Sequence, residues 1–300
     1  MTDKLALFGG KPILSNPIEF KGHDFGIDDI NIISEVIKSG EIGNGPPVIF
    51  LHGIGGNHSN WNNQQYYISD MFVAISWDAR GYGDSDDYKG PLKFSDFSED
   101  LLRLLNSRKI DKAHFVGLSM GARILMDFFP KYRHRVATLV LCDFFFDYKI
   151  LSKDKQKEFI DLRQKPLKTG KTLEEIAPRL IDSLVGPNCT KEARNILYQN
   201  FLKIHIKSYL KTIAETVTYD ASINLSEFDV PTQLIYGEYD KLTPVSIGKI
   251  AQKKISNSSL DIIKNAGHLS NIEQPDAFNK IIKNFLLKHR NLATFKTIQN

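Results

Sequence analysis

The amino-acid sequence predicts an α/β fold, in which a mostly parallel sheet carries helices on both faces and a helical segment is inserted near the middle of the chain. Three observations support this prediction. From residue 46 onward, short apolar runs typical of buried strands alternate with helical stretches, as they do in parallel sheets. A serine flanked by glycines lies where one of these strands meets a helix. Residues 144–216 lose the strand pattern and favour charged helices instead.

The composition is that of an ordinary globular protein. The chain has 300 residues, of which 42% are hydrophobic and 25% charged, and 39 basic against 35 acidic residues give a net charge of +4. No basic cluster alternates with aromatic residues, so we expect no nucleic-acid partner. There is no long uncharged apolar run and no signal-peptide pattern, so we expect a cytoplasmic protein without a membrane partner.

The cysteines and histidines give no metal-site pattern. Cys142 ends an apolar strand and Cys189 lies in a loop, and neither has the spacing of a metal ligand. We therefore expect reduced structural thiols and no metal ion.

The first predicted strands run into glycine-rich turns. Pro47–Leu51 leads into His52-Gly53-Ile54-Gly55-Gly56, and Met71–Trp77 leads into the turn 78–86. An amphipathic helix follows, because Ser95 or Asp96 can cap it and one face carries four apolar side chains. These four are Phe97, Leu101, Leu104 and Leu105.

The most informative motif is Gly117-Leu118-Ser119-Met120-Gly121. It follows the apolar run Ala113–Val116 and precedes the helical stretch Ala122–Phe129. A serine in so tight a strand-to-helix turn needs small neighbours, and its hydroxyl then projects from the edge of the sheet. This pattern is typical of a nucleophile elbow.

A serine hydroxyl is a weak nucleophile and needs an imidazole to accept its proton and a carboxylate to orient that imidazole. His268 and Asp240 each follow a predicted strand, Leu260–Ile263 and Thr232–Gly237 respectively. Strand ends are where parallel sheets build their sites, so both side chains are expected to approach Ser119. Asp143, at the end of the strand before the helical segment, is a rival for the carboxylate.

These motifs resemble the α/β-hydrolase superfamily over residues 46–290, and the order Ser, Asp, His agrees with it. The resemblance implies a catalytic triad of Ser119, Asp240 and His268 and an oxyanion hole formed by the amides of Ile54 and Met120. It also implies a domain organisation, with a core at 46–143 and 217–290, a helical lid at 144–216 and a tail at 291–300.

Within the superfamily the chain is similar to the 3-oxoadipate enol-lactonase group, through 77–86, Val116–Gly121 and Gly237–Asp240. The resemblance implies a serine hydrolase that cleaves an ester or lactone of a small molecule, with no cofactor. Two alternatives stay open: a carbon–carbon bond hydrolase of ring-cleavage products, and a non-catalytic receptor for a small ligand. The sequence also leaves a homo-oligomer open.

Further site residues follow from these motifs. The expected substrate-binding residues are His52, which should mainly brace its own turn, Gly53, Trp61 and Phe144. Two arginines near the site are expected to be structural: Arg80 should pair with a local aspartate and Arg123 should form a salt bridge toward the core.

Residues 1–45 do not follow the hydrolase pattern. Leu5–Pro12 and Ile37–Gly43 resemble the N-terminal segment of the DegT/DnrJ/EryC1/StrS sugar aminotransferases. The rest of that enzyme family, including its Schiff-base lysine region, has no counterpart here, so the resemblance implies no cofactor. We expect an N-terminal arm that packs on the hydrolase or on an oligomer partner.

Overall fold

The computed structural model describes residues 38–147, 152–219 and 223–297. The strands in this part of the chain are β1 (Ser39–Ile42), β2 (Pro47–Leu51), β3 (Val73–Trp77), β4 (Ile110–Leu118), β5 (Val136–Cys142), β6 (Thr232–Gly237), β7 (Ser258–Ile263) and β8 (Thr294–Phe295). The helices are α1 (Asn62–Ile68), α2 (Asp96–Ser107), α3 (Met120–Tyr132), α4 (Lys153–Lys168), α5 (Leu173–Leu184), α6 (Lys191–Phe201), α7 (Ile206–Thr218), α8 (Val245–Lys254), α9 (Ser270–Glu273) and α10 (Pro275–Lys288).

The predicted fold class is confirmed. Seven strands pair in the order β1-β3-β2-β4-β5-β6-β7, and every pair in this series is parallel except β1 with β3. The short β8 pairs antiparallel with the start of β4, opposite Ile110 and Lys112. The crossovers between parallel strands place helices on both faces of the sheet.

Helices on both faces explain why the central strands are buried throughout. All five residues of β2 are buried. Successive side chains of a strand point to opposite faces, and accordingly Ile49 and Leu51 join one apolar cluster while Val48 and Phe50 join the other. The sheet therefore has a core on each side.

The amphipathic helix predicted after the second glycine-rich turn is α2. Its four predicted apolar side chains are all buried in one cluster. This helix packs beside α3 and helps to fix the helix that follows the serine.

Strands also lie outside the predicted core, both before and after it in the sequence. β1 lies before residue 46 and pairs along β3 from Ser39 to Ile42, and β8 lies in the predicted tail. The second stretch of the aminotransferase resemblance thus overlaps a strand of the α/β sheet. The first stretch, Leu5–Pro12, and with it most of the predicted arm, lies outside the described residues.

The segment between β5 and β6 is helical, and α4, α5, α6 and α7 lie in it. Within this segment α6 and α7 are separate helices. The break at residues 202–205 lets Phe201 and Ile204 turn inward, where both are buried, and Phe201 meets Tyr209 edge to face. No helix in the described ranges is long and apolar enough to cross a membrane.

Candidate active site

The turn from β4 to α3 holds Ser119 in an unusual backbone conformation. Its φ is 53° and its ψ is −110°, and its amide donates to the Cys142 carbonyl at 2.9 Å. A Cβ at Gly117 would lie 2.6 Å from the carbonyl carbon of Gly121, and one at Gly121 would lie 2.2 Å from the Leu51 carbonyl oxygen. Both glycines are therefore required by the closeness of the turn to its surroundings, as the motif predicts.

Ser119, His268 and Asp240 meet at the carboxyl end of the sheet. His268 Nε2 lies 3.0 Å from Ser119 Oγ, and His268 Nδ1 lies 2.8 Å from Asp240 Oδ2. The imidazole and the carboxylate are buried, whereas the serine is partly exposed. The three side chains come from three separate loops at strand ends, which is the arrangement expected from their positions in the sequence.

The loop after β6 fixes the Asp240 carboxylate. The amides of Leu242 and Thr243 donate to its Oδ1 at 2.8 and 2.9 Å, and the Thr243 hydroxyl donates to Oδ2. Since both oxygens accept hydrogen bonds in this loop, the carboxylate presents Oδ2 to His268 in a set direction. An anionic acceptor favours the proton on Nδ1, so that Nε2 faces the serine hydroxyl as an acceptor.

The electrostatics of the pair favour a charged imidazole. Burial lowers the pKa of His268, but the charge and hydrogen bond of Asp240, with the charge of Asp143, outweigh it and raise the pKa above its ordinary 6.5. Burial likewise raises the pKa of Asp240, but His268 and Thr243 outweigh it and the net pKa is lowered. A carboxylate that stays ionised beside the imidazole can stabilise the imidazolium when it forms.

The rival carboxyl, Asp143, lies behind this pair and bonds elsewhere. Its Oδ1 accepts from the Gly237 amide at 2.7 Å and its Oδ2 accepts from the Ser270 hydroxyl at 2.6 Å. Burial and the charge of Asp240 raise its pKa well above the ordinary value. Between the two aspartates, Asp240 is the one within hydrogen-bond distance of His268.

The turn after β2 lies over Ser119. Gly53 and Ile54 line the cavity in front of the serine, and a Cβ at Gly53 would lie 3.2 Å from Ser119 Cβ. Met120 is the first residue of α3, and neither its amide nor that of Ile54 donates to another residue within the described ranges. Ile54 shares the cavity with Ser119 and Met120 directly follows the serine at a helix N-terminus, so both amides are candidates for donors to a developing negative charge.

Polar contacts from the second glycine-rich turn hold this loop. Asp78 Oδ1 accepts from the His58 amide, and Asp78 Oδ2 accepts from His58 Nδ1 at 2.8 Å and from the Asp84 amide at 2.8 Å. These three residues place ligand-type atoms within 4.8 Å of one another. The hydrogen bonds already engage both oxygens of Asp78, and the cluster has a structural explanation as a brace between two turns.

Of the four expected substrate-binding residues, Gly53 lines the cavity and the other three lie behind its wall. His52 is fully buried, with Nδ1 bonded to the Gly53 carbonyl at 2.8 Å and Nε2 accepting from the Ala79 amide at 3.1 Å. Trp61 packs between Phe50 and Phe278 and is fully buried.

Phe144 is also fully buried, and its ring lies 5.6 Å from that of Tyr236. The assignments of Trp61 and Phe144 as substrate contacts are corrected accordingly, because apolar packing consumes their whole surface. His52 braces its turn, as expected of its ring, and does not reach the cavity.

Much of the apolar cavity wall comes from the helical segment. Leu180, Ile181 and Leu184 of α5 and Leu197 and Phe201 of α6 line the cavity opposite Ser119. These residues could not be identified from the sequence, because each helix carries apolar residues whose partner, core or cavity, depends on how the helices pack. The periodic apolar face of α5 was the signal available.

Glu273 also contributes to the site, although no local sequence signal predicted it. Its buried carboxylate accepts from the amides of Gly186, Gly267 and Leu269 at 2.6, 2.9 and 3.3 Å. Burial raises its pKa, against the effect of these hydrogen bonds. The carboxylate thereby joins the two amides that flank His268 to the end of the α5 region.

The two arginines have structural partners. Arg80 donates to both oxygens of Asp100, at 2.6 and 2.8 Å, as expected of a local aspartate. Arg123 is buried, donates to the carbonyls of Phe145 and Tyr219, and lies 5.6 Å from the centre of the Phe94 ring. These contacts hold its guanidinium against two carbonyls and a ring, and the salt bridge expected of Arg123 stays a prediction.

Comparison with known proteins assigns the family. Residues 46–275 match the family model described as the alpha/beta hydrolase fold. The chain belongs to the α/β-hydrolase family.

Among relatives of this α/β-hydrolase, "3-oxoadipate enol-lactonase 2" of Acinetobacter baylyi is 26% identical over 79% of this chain and 87% of its own length. The "2-hydroxy-6-oxononadienedioate/2-hydroxy-6-oxononatrienedioate hydrolase" of Escherichia coli is 26% identical over 80% of this chain and 87% of its own. A thermophilic esterase from Thermogutta terrifontis superimposes with a TM-score of 0.77 at 25% identity, over 85% of this chain and 94% of that one. The α/β-hydrolase therefore has esterase-like and lactonase-like relatives at low identity.

Proposed function

We propose that the protein is a serine hydrolase that cleaves a carboxylic ester or lactone of a small molecule through an acyl-enzyme on Ser119. The observation that carries this proposal is the hydrogen-bonded series from Ser119 Oγ through His268 to Asp240, with distances of 3.0 and 2.8 Å. Nucleophile, base and orienting carboxylate are all within hydrogen-bond reach, which is the geometry required for an activated serine.

In the acylation step, Ser119 Oγ attacks the substrate carbonyl while His268 Nε2 accepts the hydroxyl proton. The resulting imidazolium is stabilised by the Asp240 carboxylate, which stays ionised. The tetrahedral intermediate collapses when the bond to the leaving alkoxide breaks, and His268 returns the proton to that oxygen. The products of this step are the alcohol and the acyl-serine ester.

The negative charge on the tetrahedral oxygen needs donors that are already in place. The amides of Ile54 and Met120 are the proposed donors, since both lie beside Ser119 and donate to no other described residue. Removal of one such donor typically costs about 3 kcal/mol of transition-state stabilisation.

In the deacylation step, water takes the place of the alcohol. His268 Nε2 accepts a proton from the water as its oxygen attacks the acyl carbonyl, and then returns a proton to Ser119 Oγ as the acid leaves. The half-exposed hydroxyl and the open cavity allow water to reach the acyl carbon.

We further propose that residues 144–216 form a lid over a core made of 46–143 and 217–290. The helices α5 and α6 support this role because they contribute the apolar wall facing Ser119. A lid of this kind sets which acyl groups fit, because it supplies contacts that the core loops do not.

A carbon–carbon bond hydrolase is the second candidate, favoured by the relative from Escherichia coli, whose name denotes a hydrolase of an oxo-diacid. Both reactions use the same nucleophile and base, so they differ in the substrate they accept rather than in the triad.

The test is hydrolysis of 4-nitrophenyl acetate by the wild-type protein and by Ser119→Ala. We expect turnover by the wild type and a loss of about 10⁴-fold or more in the variant. The thermal midpoint should be unchanged, since alanine keeps the same Cβ at that backbone position. A fluorophosphonate probe should label the wild type and not the variant.

Retained activity in Ser119→Ala would refute the assignment of the nucleophile. Labelling by the probe without turnover of esters, lactones or ring-cleavage products would identify a receptor that keeps the fold without the reaction.

A further inference from the structure

The cavity in front of Ser119 is small and its outer wall is apolar. Its volume is about 50 Å³. The described residues that the helical segment contributes to it are all aliphatic or aromatic, namely Leu180, Ile181, Leu184, Leu197 and Phe201. Leu118 adds a further aliphatic contact from the core, beside the serine. An acyl chain attached to Ser119 would therefore lie against apolar side chains, and burial of apolar groups of that chain would stabilise binding.

The polar groups that line this cavity are engaged in the proposed reaction or in hydrogen bonds within the protein. His268 and the amides of the turn after β2 face the reacting carbonyl. Asn60 also lines the cavity, but it is buried and its Oδ1 accepts from the Asn57 amide at 3.1 Å and from Asn200 Nδ2 at 3.0 Å. Along the cavity wall, as far as the structure describes it, no lysine or arginine side chain takes part.

The described cations near the site are engaged elsewhere. The charge of Arg163 on α4 opposes part of the rise in the pKa of His268, yet its guanidinium lies 3.7 Å from the centre of the Phe159 ring and donates to the Phe159 carbonyl. Arg123 is buried against backbone carbonyls. Neither side chain lines the cavity.

The carboxyl groups beneath the site disfavour a negatively charged group in the cavity. Asp240 is ionised next to His268, and Asp143 lies buried behind it. A second carboxylate entering an apolar cavity loses its hydration and faces this negative charge, and among the described residues no lysine or arginine of the cavity wall offsets either cost. A methyl or isopropyl group in the same place gains contact area.

We propose that the Ser119 site accepts short neutral acyl groups and discriminates against acyl groups that end in a carboxylate. This inference rests on the proposed serine hydrolase function. It separates the chain from the two relatives whose names denote diacid derivatives, an oxoadipate enol-lactone and an oxononadienedioate. The substrate class assigned to the chain is neutral short-chain esters and lactones.

The test compares three 4-nitrophenyl esters that share one leaving group. The butyrate ends in a methyl group, the hemisuccinate ends in a carboxylate, and the 4-methylpentanoate carries an isopropyl group with the shape of that carboxylate. Rates measured with Ser119→Ala are subtracted, because the hemisuccinate also hydrolyses spontaneously. We expect kcat/KM for the two neutral esters to exceed that for the hemisuccinate by about a hundredfold or more.

Each result decides one question. Equal or faster turnover of the hemisuccinate would overturn the inference and leave the serine hydrolase standing. Rejection of the isopropyl ester together with the hemisuccinate would mean that the cavity selects by shape, which also overturns it. The absence of Ser119-dependent turnover with all three esters would refute the proposed function itself.

A pair of variants on α6 tests the wall directly. Leu197→Lys places an ammonium group in the cavity wall and should raise the kcat/KM of the hemisuccinate relative to the 4-methylpentanoate by about tenfold. Ile196→Lys adds the same charge at the neighbouring position, which is 45% exposed, and should leave that ratio at its wild-type value. Equal ratios in both variants would place the discrimination elsewhere and overturn the inference.

Discussion

The Glu273 carboxylate accepts a hydrogen bond from the Gly186 amide at 2.6 Å and thereby connects the helical segment to the loop that carries His268. The connection is reinforced from the other side, because the His268 amide donates to the Leu184 carbonyl at 2.7 Å. The position of the imidazole and the position of the cavity wall are therefore set by the same contacts.

Glu273→Gln should reduce kcat/KM for a neutral ester by about tenfold or more. Glutamine retains one acceptor oxygen, but its amide group must face a backbone N–H, and a mismatch of this kind costs about 1–3 kcal/mol. We expect the effect to appear in kcat and in the pH profile, because the flanks of His268 lose their support.

Glu238→Gln is the matched control for Glu273→Gln. Glu238 accepts from the Asn265 amide of the same loop at 3.2 Å, but it is partly exposed and does not contact Gly186. The activity of Glu238→Gln should stay within about twofold of the wild type. Wild-type kinetics in Glu273→Gln, with only a lower thermal midpoint, would show that Glu273 is structural alone.

Asp240→Asn and Asp143→Asn distinguish the two carboxyl groups near the base. The first should lower kcat by about 10³- to 10⁴-fold, because the amide favours the wrong tautomer of His268 and cannot stabilise its charge. The second should lower kcat by less than about tenfold, since an asparagine can still accept from Gly237 and donate to the Ser270 hydroxyl. Steady-state kinetics on one ester measures the loss of kcat in both variants. A larger loss in Asp143→Asn than in Asp240→Asn would assign the role of the orienting carboxylate to Asp143.

The rate should depend on pH through His268. The base must be neutral to accept the serine proton, so activity is lost as pH falls through the pKa of the imidazole. That pKa lies above 6.5 because the Asp240 charge and hydrogen bond outweigh the burial that lowers it. The acidic limb of kcat/KM should have its midpoint above pH 6.5, and a flat profile between pH 5 and 8 would argue against an imidazole base.

Gly121→Ala should destabilise the fold by about 3 kcal/mol or more, because the new methyl group would lie 2.2 Å from the Leu51 carbonyl oxygen. Gly40→Ala is the matched control, since its methyl group would meet its nearest neighbours at 3.7 and 3.8 Å. The free energy of unfolding in urea should change by about 0.5 kcal/mol or less in the control. A stable Gly121→Ala protein would show that β2 can move away from α3.

Local sequence signals predicted the parts of the site that local structure determines. A glycine pair around a serine, and polar residues directly after apolar runs, identify strand ends, and strand ends of a parallel sheet share one edge. For this reason the approach of His268 and Asp240 to Ser119 could be anticipated. The short strands β1 and β8 could not be predicted, because strands of four and two residues carry too little sequence pattern.

The cavity wall could not be predicted either. Trp61 and Phe144 are aromatic residues near the motifs in sequence, but they pack inside the core, whereas Leu184 and Phe201 reach the cavity from distant helices. Apolar residues fill core and cavity surfaces alike, so only the packing of α5 and α6 decides between them. Glu273 could not be predicted for a similar reason, since its partners lie in two segments far apart in the chain.

The backbone conformation of Ser119 lowers the stability of the fold at the same residue whose hydroxyl the proposed reaction uses. A side-chain-bearing residue with φ of 53° and ψ of −110° costs roughly 1–3 kcal/mol, and a glycine there would relieve that cost. Variants selected for heat resistance alone would therefore tend to discard the hydroxyl. The hydroxyl of Ser119 is therefore present at the expense of some stability of the fold.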